Sequence, residues 1–208
     1  MNNAAGLKLS SFFTEKHVIC HLEGADRDAC LVKLVDLLAA DRRIKNATEA
    51  MKAVLVREQI LSTVLTAGLG IPHARLEEID ELIIAVATSR NGVNFGASPA
   101  NPTRVVVLIL APVSQPGVYL QALAAIATLF ANDDVIERVS RLTNPREVWE
   151  FFDKGEGTLP KYAAARDIMA TSFECLRTTD YLEHAIDLFC YRHLFDIAVV
   201  DEDGDMVG

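Results

Sequence analysis

The chain lacks any apolar run long enough to cross a bilayer as a helix. Its longest strongly apolar stretch, Val105 to Val113, is less than half of the roughly 20 residues such a span needs. The first residues, Met1 to His17, have no apolar core of a secretory signal. Both absences lead us to expect a cytoplasmic protein with no membrane insertion. Basic residues are in the minority: 20 Lys and Arg stand against 29 Asp and Glu, for a net charge of −9. Nucleic acid is thereby excluded as a partner, because counterion release needs a basic face and none stands out. Cysteine is sparse, with Cys20, Cys30, Cys175 and Cys190 at no CxxC spacing, so neither a disulfide framework nor a zinc site is expected. Nothing marks Glu77, Glu78 or Asp80 as a catalytic carboxylate pair, and no metal or organic cofactor is implied.

Half of the 208 residues are hydrophobic, which is ample for one core and somewhat long for one domain. Residues 26–41 repeat apolar positions at helical spacing, with Asp26 as cap and Cys30, Leu31, Leu34, Val35, Leu37 and Leu38 as the buried stripe. A second helix opens at Asn46 and runs to about Arg57. Residues 62–75, with Gly68, Gly70 and Pro72, read as a loop with a short extended piece. Leu82 to Thr88 and Val105 to Ala111 are continuous, branched and apolar, as strands buried on both faces are. Arg90 to Thr103 reads as connecting chain, with Val93 and Phe95 as an edge strand. Residues 117–130 predict a helix with Leu120, Leu123, Ile126, Ala127 and Phe130 on one face. Asn132 and Asn144-Pro145 open two more, the last carrying Trp149 and Phe152 inward. Helices interleaved with buried strands give an α/β class, a mixed sheet flanked by helices.

Residues 153–160 (DKGEGTLP) are the best linker, so two domains are expected, 1–155 and 160–208. From Thr158 onward there are four basic and ten acidic residues, a second sign of a change in character. The tail predicts a helix over 179–193 with Leu182, Ala185, Ile186 and Phe189 on one face. A strand over 197–200 and a turn at Asp201 to Gly204 follow.

His73 is the focus of possible chemistry. A nucleophilic imidazole needs one nitrogen free and neutral, and an ordinary histidine, with a pKa of about 6.5, mostly meets that at pH 7. Phosphoryl transfer then depends on positioning and on cations facing the phosphate oxygens. Arg57 and Arg75 are the nearby cations, Arg75 reading better as surface.

Arg57-Glu58, Ser62-Thr63, Gly70-Ile-Pro-His73, a strand ending in Pro112 and the helix with Leu120, Leu123 and Ala124 carry a wider pattern. From about Leu7 to Phe152 the chain resembles enzyme IIA of the phosphoenolpyruvate-dependent sugar phosphotransferase system, of the fructose, mannitol or nitrogen-regulatory type. The resemblance implies that His73 accepts phosphate from the phosphocarrier protein HPr, that Arg57 lies beside it, and that a IIB component or a regulatory target follows. It also implies a mixed sheet with helices on both sides. Three positions depart from the family: Val64 and Thr66 replace glycines of a turn, Tyr119 stands where many members have a second histidine, and Ala74 where a glycine is frequent. Branched residues resist positive φ, so the turn at 64–66 must be shaped differently. Tyr119 can donate a hydrogen bond to a phosphate oxygen but brings no charge.

The segment from about Lys161 to Gly208 resembles the first part of a CBS motif. That resemblance implies an adenine nucleotide bound at a pair of such motifs, and a homodimer to supply the second. The rival to a phosphocarrier is a non-catalytic sensor in which the enzyme IIA fold survives as a binding surface and His73 is idle.

Overall fold

The structure is a computed structural model that describes residues 7–22, 26–60, 63–66, 68–95, 102–154, 159, 174–192 and 196–208. Contacts divide the chain into two compact units, Met1–Ile168 and Met169–Gly208.

The first unit is a mixed sheet with helices on both faces. Its strands are β1 (Val18–Ile19), β2 (Val64–Thr66), β3 (Leu69–Gly70), β4 (His73–Leu76), β5 (Ile83–Val93) and β6 (Thr103–Pro112). The path runs β1-β5-β6-β3-β2, and β4 also pairs with β6. β5 and β6 are antiparallel, and β3 and β4 both run parallel to β6. β3 and β4 hold the same register on β6, Leu69 opposite Val105 and His73 opposite Ile109, so they form one strand interrupted at Ile71-Pro72. β5 and β6 are buried on both faces, as their unbroken apolar sequence predicts. Ile84, Val86, Val107 and Ile109 enter one core, and Ile83, Ala85, Leu108 and Leu110 the other.

α1 (Arg27–Ala40) and α2 (Ala47–Ile60) cover the second of these faces. Asp26 caps α1 by accepting from Ala29 N at 2.8 Å, and Asn46 does the same for Glu49 N at 3.1 Å. α3 (Pro116–Leu129), α4 (Asp133–Ser140) and α5 (Pro145–Lys154) belong to the other face. There Phe13, Phe130 and Phe152 are almost fully buried, with the Phe13 and Phe152 rings edge-on at 5.2 Å.

Three expectations are corrected. Residues 63–76 are mostly strand: β2, β3 and β4 pair along the sheet and leave only short breaks. β5 continues through Arg90 to Val93, carried past a bulge by Gly92 at φ +81°, so most of what reads as connecting chain before residue 94 is strand. Of the face expected for α3, Ile126 and Phe130 are buried, but Leu123 and Ala127 are half-buried and Leu120 is exposed; Ala122, Ala124, Ala125 and Leu129 complete the buried side. Small alanines thus take most of the buried positions of α3, and Leu120 and Leu123 lie on its more exposed side.

The second unit, as described, is a parallel pair, β7 (Cys175–Arg177) and β8 (Ala198–Val200), joined through α6 (Leu182–Arg192). Asp201 Oδ1 accepts from Asp203 N and Asp205 N, shaping the predicted turn. Of the face expected for α6, Ala185 is buried, together with Leu188, whereas Leu182, Ile186 and Phe189 are exposed. Among the described residues no helix is long and apolar enough to cross a membrane. Most of the expected linker, 155–158 and 160, lies outside the described residues, as does the Ala165 to Met169 segment of the CBS resemblance.

Phe152→Ala should cost about 3–5 kcal/mol in urea unfolding, through lost burial and the cavity left among Phe13, Phe130 and Phe151. A loss under about 1 kcal/mol would contradict the packing described, since even truncation of a buried leucine to alanine costs about 2–5 kcal/mol.

Candidate functional site

His73 opens β4 directly after Pro72. Proline has no N–H, so the ladder to β6 is interrupted there, although the Pro72 carbonyl still accepts from Ile109 N at 2.9 Å. Ile71 faces the other way, its N–H donating to Thr63 O at 2.9 Å. The His73 ring turns back onto this break, and Nδ1 lies 2.8 Å from the Ile71 carbonyl oxygen. A carbonyl only accepts, so Nδ1 carries the hydrogen. In the neutral ring the lone pair is then on Nε2, which makes no hydrogen bond among the described residues.

His17 shows the opposite arrangement. It is fully buried and uses both nitrogens: Nδ1 accepts from Thr14 N at 3.3 Å and Nε2 donates to Asp41 at 2.9 Å. That is a structural histidine with no lone pair to spare. His73 is half-buried and has one.

The surroundings of His73 keep it neutral. Burial holds its pKa below the ordinary 6.5 and Arg57 adds to the effect, against the Ile71 carbonyl and Glu58, which favour the charged ring. Arg57 is in the last turn of α2, where a cation is favoured by the helix dipole. Arg57, Thr63, Leu65 and His73, with Leu123 of α3, line a cavity of about 250 Å³. The outward leucine face of α3 is therefore part of the site. Tyr119, in the first turns of α3, sets its ring 5.4 Å from that of His73, tilted by 52°. Burial pushes its phenol pKa up, while Arg57 and Arg75 pull it down, so both guanidinium groups act on this side chain. Arg75 itself is exposed, with Nη2 donating to Val113 O at 3.1 Å.

The structure thus brings His73, Arg57 and Tyr119 together. Val64 and Thr66, which depart from the family, lie in the extended backbone of β2, and Gly68 takes the positive φ, +93°, in the turn that follows. Ala74 is buried in the core below the site, with space for its methyl group. Ser62 lies outside the described residues.

Glu58 was missed as a site residue. The residue is 5% exposed, and its carboxylate accepts from Thr63 N at 3.1 Å and from Thr63 Oγ1 at 2.5 Å. The sequence does hold a signal: a carboxylate at a helix end, five residues before a threonine that leads into a strand, suits a local clasp. Among the described residues no group of His, Cys, Asp and Glu is arranged to hold a metal.

The profile of the family "Phosphoenolpyruvate-dependent sugar phosphotransferase system, EIIA 2" matches residues 11–155. The fructose-specific EIIA component of Haloferax volcanii is 30% identical over 115 residues, which is 55% of this chain and 75% of that protein. The nitrogen regulatory protein of Escherichia coli is 25% identical over 158 residues, 76% of this chain and 96% of that protein. The chain covers only 23% of the E. coli 2-O-alpha-mannosyl-D-glycerate-specific EIIABC component. The fold is shared with the nitrogen regulatory protein IIA-Ntr of Neisseria meningitidis, at 21% identity and a TM-score of 0.63, covering 69% of this chain and 97% of that one.

The depressed pKa of His73 has a measurable sign. The imidazole should stay neutral as pH falls past 6.5, so an NMR titration of the ring should give a midpoint below that value, rising in Arg57→Ala as one opposing charge is removed. A wild-type midpoint at or above 6.5 would mean that the site is wetter than described.

Proposed function

Since the chain belongs to the EIIA 2 family of the phosphoenolpyruvate-dependent sugar phosphotransferase system, with a phosphocarrier or regulatory role there, we propose that His73 is its phosphate-accepting residue. The observation that carries this is the Nδ1 hydrogen bond to Ile71, which leaves a neutral Nε2 as nucleophile. The donor is a phosphohistidine of HPr. Nε2 attacks its phosphorus and a new N–P bond forms. The donor's N–P bond breaks, and its electron pair returns to the donor imidazole. No proton crosses, because His73 keeps its Nδ1 hydrogen throughout. Arg57 steadies the phosphoryl oxygens by charge, and Tyr119 donates a hydrogen bond to one of them. The reaction needs no metal and no organic cofactor.

The next acceptor is a IIB component or a regulatory target. Enzyme IIA mannitol of E. coli, which shares the fold at 20% identity and a TM-score of 0.59, has been solved in complex with phosphorylated enzyme IIB mannitol. The exposed Leu65 and the half-buried Leu123, which line the cavity with His73, suit the same kind of docking here. We place the reaction in the cytoplasm, where the phosphoenolpyruvate supply is.

The segment after the enzyme IIA-like domain, taken as 160–208, is read as a partial CBS module. Its described β-α-β order with parallel strands supports that, and Leu182, Ile186 and Phe189 offer an apolar face for a second copy. A pair formed in this way would respond to an adenine nucleotide. The non-catalytic alternative, with His73 idle, has less support: Val64 and Thr66 cause no backbone strain, so their presence does not speak against an intact site.

Incubation with enzyme I, HPr and labelled phosphoenolpyruvate should put acid-labile label on the wild type and none on His73→Ala. Arg57→Ala should still be labelled, at a rate about 100-fold lower, as for loss of one charge-stabilising donor. No label on the wild type, with HPr shown to be phosphorylated, would favour the non-catalytic sensor.

A further inference from the structure

In an antiparallel pair, directly opposed residues alternate between pairs that exchange two hydrogen bonds and pairs that exchange none, so a pair that makes one such bond is placed to make the other. Thr63 and Ile71 continue the register of β2 and β3, where Val64 faces Gly70. They make only one of the two bonds, Ile71 N to Thr63 O at 2.9 Å. The N–H that should return the second bond, that of Thr63, donates to Glu58 Oε1 instead. The Ile71 carbonyl is left for another donor, and that donor is His73 Nδ1–H. A buried carbonyl without any donor would be costly, so the two substitutions depend on each other. Glu58 is held for this task by a second bond, from Thr63 Oγ1, and by its burial against solvent.

We propose that Glu58 is a positioning residue: by taking the Thr63 N–H it frees the Ile71 carbonyl for His73, and so fixes the ring in the tautomer whose lone pair is on Nε2. Its importance for phosphate transfer rests on the reading of His73 given above, but the tautomer can be observed without any phosphate donor. Glu58 touches neither His73 nor the place of the phosphoryl group by hydrogen bond, and it acts through two backbone groups. Gln at this position keeps an oxygen for Thr63 N–H and an N–H₂ for the threonine hydroxyl, so it can replace Glu. Ala cannot, and Asp places its carboxylate one methylene short.

The test is the nitrogen spectrum of the His73 ring above its titration midpoint, from two-bond proton–nitrogen correlations. The wild type and Glu58→Gln should show the Nδ1–H tautomer alone. Glu58→Ala and Glu58→Asp should show a substantial share of the Nε2–H form, as Thr63 N–H returns to the Ile71 carbonyl. In the wild type, scalar coupling across the hydrogen bond should link the Ile71 carbonyl carbon to His73 Nδ1 and not to Thr63 N, a reading that needs no variant to fold. With phosphate donor added, Glu58→Ala should transfer roughly tenfold more slowly at saturating HPr, with KM for HPr little changed, as for loss of one oriented hydrogen bond. A folded Glu58→Ala that keeps the pure Nδ1–H tautomer would overturn the proposal, as would wild-type coupling from Ile71 to Thr63 N. A wild type that shows the expected tautomers yet accepts no phosphate would overturn only the phosphocarrier reading of His73.

Discussion

The carbonyl of Ile71 is the constraint on which the site depends. It lies at the break between β3 and β4, next to a proline that cannot donate, and opposite a threonine whose N–H has been taken by Glu58. Its one hydrogen-bond donor among the described residues is the His73 ring. A backbone oxygen is a rigid acceptor, because the strands on either side fix its position. It therefore sets both the direction of the imidazole and which nitrogen bears the hydrogen. The comparison with His17 makes the point within one chain: two histidines in one fold, one with both nitrogens hydrogen-bonded, the other with Nδ1 held and Nε2 without a hydrogen bond among the described residues.

The rest of the fold serves to hold that break still. β6 is the centre of the sheet and pairs with β3, β4 and β5, so the interrupted strand is kept in one register across the gap. α2 brings Arg57 and Glu58 to the site as consecutive residues with different tasks, the first beside the cavity and the second buried against Thr63. α3 buries Ala122, Ala124 and Ala125 and leaves Leu120 exposed and Leu123 half-buried. What reads as one hydrophobic helix is thus two surfaces, a core face of three alanines with Ile126 and Leu129, and a more exposed one that brings Leu123 to the cavity.

Much of this was legible in the sequence. The unbroken apolar runs of β5 and β6, the caps at Asp26, Asn46, Asn132 and Asn144, and the gathering of His73, Arg57 and Tyr119 near one another all follow from pattern, cap chemistry and resemblance. Short strands were not legible. β2, β3 and β4 are two to four residues long, too brief for alternation to emerge, and the pairing of β3 and β4 with β6, and of β2 with β3, comes from tertiary contact. The buried face of α3 was misplaced because hydrophobicity favours leucine over alanine, while close helix-to-sheet packing favours the reverse. Glu58 escaped notice because a glutamate at a helix end reads as a solvated charge, and only the position of Thr63 shows that it is buried and used.

The central claim is that His73 reacts through Nε2 because Ile71 holds Nδ1. The most direct measurement is the site of attachment in the phosphorylated protein, read from phosphorus-coupled nitrogen signals of the His73 ring at neutral pH. Phosphorus coupling to Nε2, with Nδ1 still bearing its hydrogen, is the result this account predicts. A phosphoryl group on Nδ1 would contradict it, since that nitrogen could react only by first giving up its bond to the Ile71 carbonyl.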